Sequence, residues 1–296
     1  MYFVYVYDVT KKLFNNINEA KIVAKVLDIS LDQVLFQDLN PSSKEQICIE
    51  ETLNKFRIGY PLDYILQQVI FLGQRFFVDE SVLIPRPETE FWAGNLINKI
   101  KSKKTDYQNL TLVDVGSGSG VIALALAKYF GHVVALDIDE KALKVFSTNL
   151  DNYNKTSILQ KTKVSIIRSN LLENLPVNLV NGKWILVANL PYVPSEDQVS
   201  AAKNKIDFEP ELAIFSGVDG LDLFRQLIIQ LKTNFSHNLH NNLPDEMYFE
   251  LDPRNILEAK DYVIELLPIY DWLVERDEND LERILILSKK TDSNME

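Results

Sequence analysis

The chain has 296 residues and a formal net charge of −11 at pH 7, with 31 Lys and Arg against 42 Asp and Glu. This acidic balance disfavours a nucleic-acid substrate without excluding a local basic patch, because nucleic-acid affinity depends on clustered Lys and Arg. No apolar run reaches the roughly 20 residues of a membrane span, and the first residues lack the basic segment and cleavage site of an export signal. We therefore expect a cytoplasmic protein.

Cysteine and histidine usage argues against disulfide and metal chemistry. A single cysteine, Cys48, excludes an internal disulfide and fits a reducing compartment. Its apolar neighbours in EQICIEETL predict a buried helix position rather than a nucleophile. His132, His237 and His240 show no spacing typical of a metal site, so none is expected.

The first quarter of the chain is predicted to be helical. NEAKIVAKVLDI carries apolar residues at the three-and-four spacing of a helix buried on one face, and two later segments open on serine, a favoured N-cap residue. Alternating β-branched and aromatic residues punctuated by Gly73 and Pro87 then predict a hairpin-like connection. We predict a helical domain over residues 1–75, a connecting hairpin over 76–86 and a second domain over 76–296.

From residue 110 onward, apolar strands alternate with helices. LTLVDVG, HVVALDI, KVSIIRS and KWILVAN are separated by helical segments, which indicates a parallel sheet covered on both faces. The last two strands, WLVERD and RILILS, have only a short connection between them and must pair antiparallel. The sequence therefore predicts a doubly wound α/β domain whose final strand is reversed. Its ligand is expected at the carboxyl ends of the strands.

The segment VDVGSGSG predicts a tight strand-to-helix turn at that edge. Gly116, Gly118 and Gly120 stand at every second position, whereas the dinucleotide fingerprint requires a third glycine where Val121 stands. This spacing favours S-adenosylmethionine over NAD, since its amino-acid tail needs no helix N-terminus for a pyrophosphate. The alternative is a tight turn that binds no ligand.

Two further polar residues follow neighbouring strands. Asp137 ends the next strand, where a carboxylate accepts hydrogen bonds from the ribose hydroxyls of adenosine cofactors. Asn170 follows the third strand, and its side-chain carbonyl is placed to accept from an adenine amino group. A polar residue that merely leaves a strand explains Asn170 equally well when that residue is taken alone.

The fourth strand runs into Asn189-Leu190-Pro191-Tyr192. A planar NH2 group has a delocalised lone pair, and two acceptors that hold its two hydrogens would aim its nitrogen at a methyl donor. Asn189 Oδ1 can be one acceptor, and the Leu190 carbonyl the other, because a residue before proline is held extended. Tyr192 offers a flat wall, and no charged base is needed. Alone, the tetrapeptide is also compatible with a strand-ending turn.

Together, VLIPRPETE, VDVGSGSG, NLPYVP and FEPELAIFSGVDGL resemble the peptide chain release factor glutamine N5-methyltransferases, the PrmC/HemK family. The resemblance runs over nearly the whole chain. It implies a class I S-adenosylmethionine-dependent methyltransferase fold, a Rossmann-like seven-stranded sheet with the last strand antiparallel, preceded by a small substrate-recognition domain. It also implies methylation of the side-chain amide of the glutamine in the Gly-Gly-Gln loop of release factors.

The resemblance assigns roles to individual positions. Asn189, Leu190, Pro191 and Tyr192 are the expected catalytic and substrate-binding tetrapeptide, with Arg86 and Thr89 as further substrate-binding residues. The expected cofactor-binding residues are Gly116, Ser117, Gly118, Gly120, Asp137, Ile138, Asn170, Leu171 and Asn189. Leu190 departs from the family, which has proline there, and Asn170 and Asp252 stand where aspartate and glycine are usual.

Other functions remain open at this point. NLPY also occurs in adenine dimethyltransferases of ribosomal RNA, so methylation of an adenine amino group in RNA or DNA is an alternative. A ribosomal-protein glutamine methyltransferase is a second, and a degenerate fold kept as a binding module is a third. We expect this chain to act as a monomer whose partner is a release factor, with no direct nucleic-acid or membrane partner.

Overall fold

The computed structural model describes residues 14–103, 105–155, 162–180, 182–197, 208–235 and 242–290. They form two compact units, the first made of residues 14–68 with Phe208 and the second of the remaining described residues. The division falls between Gln68 and Val69, before the predicted boundary at residue 75. Residues 1–13 of the predicted helical domain, and His237 and His240, lie outside the described residues.

The first unit consists of four helices. They are α1 (Ile17–Leu27), α2 (Leu31–Phe36), α3 (Ser43–Arg57) and α4 (Leu62–Leu66). Ser30 and Ser42 cap α2 and α3, each in a capping box whose N3 side chain returns a hydrogen bond to the cap. The apolar faces of the helices meet in one small core formed by Ala20, Ile22, Val23, Ala24, Val34, Ile49 and Leu53.

The prediction of a buried Cys48 is wrong. The residue lies on α3, as expected, but it is exposed. Ile49 and Leu53, four residues apart, form the buried stripe of this helix. Cys48 precedes Ile49 by one position, about 100° around the helix, and so points away from the core.

The second unit opens with a hairpin. Its strands β1 (Val69–Phe71) and β2 (Gln74–Phe76) pair antiparallel across Leu72 and Gly73, which both have positive φ. Phe71 and Phe76 are buried in the core of the second unit, which explains why the division precedes the hairpin. The strands therefore end where the predicted hairpin, 76–86, was expected to begin. Helix α5 (Pro87–Ser102) follows.

Seven strands form the central sheet in the order β5-β4-β3-β6-β7-β9-β8. They are β3 (Thr111–Val115), β4 (His132–Asp137), β5 (Lys163–Arg168), β6 (Trp184–Ala188), β7 (Glu246–Glu250), β8 (Tyr270–Arg276) and β9 (Glu282–Lys289). Strand β9 pairs antiparallel with both β7 and β8, which confirms the predicted reversal. The order reverses between β3 and β6, which places the expected ligand crevice at their carboxyl ends.

Helices cover both faces of the sheet. Besides α5 they are α6 (Val121–Ala127), α7 (Glu140–Lys155), α8 (Asp222–Asn234) and α9 (Ile256–Leu266). Neighbouring residues of a strand enter opposite cores: Leu186 packs on one face and Val187 on the other. None of the helices in the described part of the chain has the length and apolar character needed to cross a membrane.

Candidate functional site

A cavity of about 170 Å³ opens at the carboxyl ends of the strands, next to the point where the strand order reverses. Its walls come from the glycine turn after β3, the ends of β4, β5 and β6, and the segment before α5. Among the residues predicted from sequence, its lining includes Thr89, Gly116, Ser117, Gly118, Asp137, Ile138, Asn170, Leu171, Asn189, Leu190 and Pro191.

The positions of the turn require glycine for different structural reasons. All three adopt positive φ, at 72°, 52° and 82° for Gly116, Gly118 and Gly120. A Cβ at Gly118 would meet no atom within 4 Å, so the backbone there borders open space in the cavity wall. A Cβ at Gly120 would lie 2.5 Å from the ring of Phe146. Gly120 therefore serves helix packing, and it is not part of the cavity lining.

Asp137 connects the glycine turn to the end of β4. Its Oδ2 accepts a hydrogen bond from Gly118 N at 2.8 Å, and its Oδ1 accepts from Asp139 N at 2.9 Å. Burial raises the pKa of the Asp137 carboxyl, while these backbone hydrogen bonds favour the charged form. The carboxylate has lone pairs left for a ligand, because each oxygen can accept more than one hydrogen bond.

Asp114, which was not predicted as a site residue, lies beneath the turn. Its Oδ2 accepts a hydrogen bond from Ala123 N at 3.1 Å. It thereby caps α6 in place of Gly120, the N-cap residue, which has no side chain to do so. Burial raises the pKa of Asp114 to about 7. Asp114 Oδ1 and Ser117 Oγ are buried oxygens for which the described residues provide no hydrogen-bond partner. The sequence feature that could have indicated this role is an acidic residue two positions before Gly116, the first glycine of the turn.

Asn170 is oriented by its neighbour. Its Nδ2 donates to Glu173 Oε1 at 2.8 Å, which leaves Oδ1 as the acceptor available to a ligand. Leu171 follows with φ at 51°, and Ile138, nearly half exposed, borders the cavity from the end of β4. This part of the wall therefore combines one amide oxygen with two apolar side chains.

The tetrapeptide begins immediately after β6. Asn189 Nδ2 donates to Thr89 Oγ1 at 3.1 Å, and within the described ranges no group donates to Asn189 Oδ1. Leu190 is buried, and its Cδ2 lies 2.9 Å from the position that a Cβ on Gly116 would take. Tyr192 lies outside the cavity lining, and its hydroxyl donates to Glu250 Oε1 at 3.3 Å.

Glu250, at the end of β7, is a second site residue that was not predicted from the sequence. Its Oε2 accepts from Thr89 Oγ1 at 2.8 Å and from Trp92 Nε1 at 2.7 Å. Burial raises the pKa of Glu250, and the hydrogen bonds and the positive charge of Arg283 oppose that rise. A fully buried acid with three donors around it links α5 to the tetrapeptide.

Arg86 also lies outside the cavity lining. Its guanidinium pairs with Glu209, which is buried and accepts a second hydrogen bond from Ile84 N at 3.0 Å. This acid fixes the segment before α5, which lines the cavity through Ser81, Val82, Leu83 and Pro85. The described residues contain no group of three or more His, Cys, Asp or Glu side chains placed to hold a metal ion.

Comparison with known sequences gives a consistent family. A curated protein of Flavobacterium psychrophilum named release factor glutamine methyltransferase is 34% identical over 224 residues, 75% of this chain and 73% of its own. Proteins of the same name from Mycoplasma mycoides subsp. mycoides and Borreliella burgdorferi are 32% and 31% identical. The Mycoplasma match covers 83% of this chain and 82% of the relative, and the Borreliella match covers 94% and 91%.

A family model and a solved structure also match parts of this chain. The family model for ribosomal RNA adenine dimethylase matches residues 91–208. Among solved structures, the hMettl16 catalytic domain in complex with MAT2A 3′UTR hairpin 6 is similar with a TM-score of 0.52 at 12% identity, over 82% of this chain and 93% of that one. At this identity the likeness concerns the fold alone.

Proposed function

The chain belongs to the release factor glutamine methyltransferase family, and from this premise we propose that it transfers a methyl group from S-adenosylmethionine to the glutamine side-chain amide of release factors. Its fold is that of the class I S-adenosylmethionine-dependent methyltransferases. The observation that carries the proposal is the orientation of Asn189. Its amide nitrogen is engaged by Thr89, and its carbonyl oxygen is left for a donor in the cavity.

The residues of the cavity fit the cofactor. Open space over Gly118 lets a ligand approach the backbone of the glycine turn, and Ser117 Oγ lacks a partner within the described residues. Asp137 has lone pairs free for the two ribose hydroxyls. Asn170 Oδ1, between Ile138 and Leu171, would accept from the adenine amino group while the apolar side chains pack on the ring.

The acceptor amide would be held by two oxygens. Asn189 Oδ1 and the Leu190 carbonyl accept its two N–H hydrogens, and no hydrogen bond from the described residues competes for either oxygen. When bound, S-adenosylmethionine would supply an electrophilic methyl carbon. The amide nitrogen would form the N–C bond as the S–C bond breaks, the sulfur would keep that electron pair, and one N–H proton would pass to solvent. The chain contributes alignment, with reacting atoms about 3–3.5 Å apart.

Pro191 makes the second acceptor dependable. The ring of a proline restricts the preceding residue to extended backbone, so the Leu190 carbonyl has few orientations available. The Leu190 side chain is buried and lies against Gly116, which further limits the movement of residue 190. Both features orient a main-chain oxygen, and residue 190 provides this oxygen whether it is leucine or proline.

We assign the recognition of the release factor in part to the first unit. Phe36 and Ile58, both in this unit, are the two most exposed large apolar side chains among the described residues, at 77% and 75%. Phe36→Ser should raise KM for a whole release factor and leave KM for a short Gly-Gly-Gln peptide unchanged. An equal effect on both substrates would contradict this assignment.

Methylation of an adenine amino group is the competing function, favoured by the adenine dimethylase family match over residues 91–208. The decisive experiment offers labelled S-adenosylmethionine with a release factor, a release factor whose loop glutamine is changed to alanine, and ribosomal RNA. Label on the intact release factor only is the expected result. Label on RNA but not on the release factor would overturn the proposed substrate.

A further inference from the structure

We propose that Glu250 is a positioning residue. Through the Thr89 hydroxyl, it determines the orientation of the Asn189 side-chain amide, that is, whether Nδ2 or Oδ1 faces Thr89. The inference rests on the proposed function only for what the amide does in catalysis. The three side chains come from β7, from the first turn of α5 and from the end of β6. Two hydrogen bonds join them: Thr89 Oγ1 to Glu250 Oε2 at 2.8 Å, and Asn189 Nδ2 to Thr89 Oγ1 at 3.1 Å.

The direction of the first hydrogen bond is set by the surroundings of Glu250. Trp92 Nε1 donates to the same Oε2 at 2.7 Å, and an indole N–H can only donate. Burial raises the pKa of Glu250, but the Tyr192 hydroxyl donates to its other oxygen, and these hydrogen bonds together with the positive charge of Arg283 favour the carboxylate form. Oε2 therefore acts as an acceptor, and the Thr89 hydroxyl must direct its hydrogen at it.

The direction of the second hydrogen bond follows from the first. A hydroxyl has one hydrogen, and that of Thr89 is used on Glu250, so Thr89 Oγ1 can only accept from Asn189. The amide must present its NH2 group to Thr89 and its carbonyl oxygen to the other side. The opposite orientation would set the Asn189 oxygen against the Thr89 oxygen with no hydrogen between them. Glu250 thus selects the acceptor for the substrate amide without touching the substrate.

Removing Glu250 should turn the amide round. In Glu250→Met the buried Thr89 hydroxyl, 2% exposed at the residue level, loses its acceptor. It regains one when Asn189 rotates its carbonyl toward it, which places NH2 where the substrate needs an oxygen. An unpartnered buried donor is costly enough to shift this preference by roughly ten- to hundred-fold. We expect kcat/KM for the amide substrate to fall by about that factor, while the Kd for S-adenosylhomocysteine changes less than three-fold.

The second substitution gives the distinguishing result. Thr89→Val removes the hydroxyl that favours the reversed amide orientation when Glu250 is replaced by Met. Asn189 then has no hydrogen-bond partner at position 89 in either orientation. We expect Thr89→Val alone to lose less than ten-fold. We also expect the double variant Thr89→Val/Glu250→Met to recover most of the activity lost in Glu250→Met. A residue that acted only by packing would make the double variant worse than either single variant.

Two controls separate orientation from stability. Trp92→Phe removes another donor from the same Glu250 oxygen. It leaves the hydrogen bonds from Glu250 through Thr89 to Asn189 intact, so the activity of this variant should stay close to wild type. Glu250→Gln can keep its carbonyl oxygen toward Trp92 and Thr89, and should restore activity to within ten-fold of wild type. Thermal unfolding of every variant reports how much of each effect comes from folding.

A readout without substrate tests the same geometry. The Asn189 side-chain NH2 resonance, assigned by its loss in Asn189→Ala, should be protected from solvent exchange in the wild type and in Glu250→Gln. It should become solvent-accessible in Glu250→Met. If the resonance follows this order while no variant methylates a release factor, the inference stands and the proposed substrate is wrong. If Glu250→Met leaves the resonance unchanged, or the double variant recovers nothing, the inference is overturned.

Discussion

Two glycines of the turn should fail in different ways when each is replaced by alanine. Gly118 and Gly120 both have positive φ, which costs an L-residue about 1–2 kcal/mol. Alanine at 118 meets open space, so we expect it to lose only that amount of the free energy of unfolding. Alanine at 120 would also drive its Cβ to 2.5 Å from the fully buried Phe146 ring, and overpacking adds about 1–3 kcal/mol.

Ligand binding should rank the same two variants the other way. The Gly118→Ala methyl group would enter the cavity where the backbone is expected to meet the cofactor, so we expect its affinity for S-adenosylmethionine to fall at least ten-fold. Gly120→Ala, once folded, should bind more tightly than Gly118→Ala, because residue 120 does not line the cavity. Urea unfolding without ligand and isothermal titration calorimetry measure the two effects. Equal destabilisation of the two variants, or unchanged affinity in Gly118→Ala, would refute this division of roles.

Three further changes test the site. Asn189→Ala should lower kcat at least hundred-fold while the Kd for S-adenosylmethionine stays within a few-fold; retained methylation would contradict the two-acceptor arrangement. Leu190→Pro should keep activity within about ten-fold, since the main-chain carbonyl remains; a folded but inactive variant would show that the leucine side chain is required. Asp114 has its pKa raised to about 7 in the folded chain, so the folded state binds its proton more tightly than the unfolded state does. Its contribution to stability therefore falls as pH rises from about 4 to 7, and the free energy of unfolding of Asp114→Asn relative to wild type should increase over that range. A difference that is constant with pH would mean that Asp114 does not titrate there.

The main features of the sheet could be predicted because they depend on local pattern. Continuous apolar strands separated by helices imply parallel pairing, and the short connection before RILILS permits only an antiparallel partner. The same patterns brought Gly118, Asp137 and Asn189 to one edge, because the carboxyl ends of parallel strands meet there. Local pattern was weaker at single positions: Cys48 sits among apolar neighbours but faces solvent, since one residue around a helix changes its direction by about 100°.

The polar connections behind the site could not be predicted in the same way. Glu250 meets Thr89 from 161 residues away, and Glu209 meets Ile84 from 125 residues away. Each acid lies in a segment that reads as an ordinary strand end or loop, and its role exists only once distant elements pack against it. Asp114 could have been found, because it precedes a helix whose N-cap, Gly120, has no side chain to satisfy the first N–H groups.

Leu190 illustrates how a departure from a family pattern can be compatible with the chemistry. Proline at this position would restrict the backbone of residue 190 itself, and leucine gives up that restriction. Pro191 still confines residue 190 to extended backbone, and Cδ2 of the buried leucine lies 2.9 Å from the position that a Cβ on Gly116 would take. Gly116 and Leu190 therefore depend on each other: Gly116→Ala should be more harmful with leucine at 190 than with proline. Comparing the cost in stability of Gly116→Ala in the wild type and in Leu190→Pro measures this dependence, and equal costs would show that the leucine side chain does not crowd a methyl group at position 116.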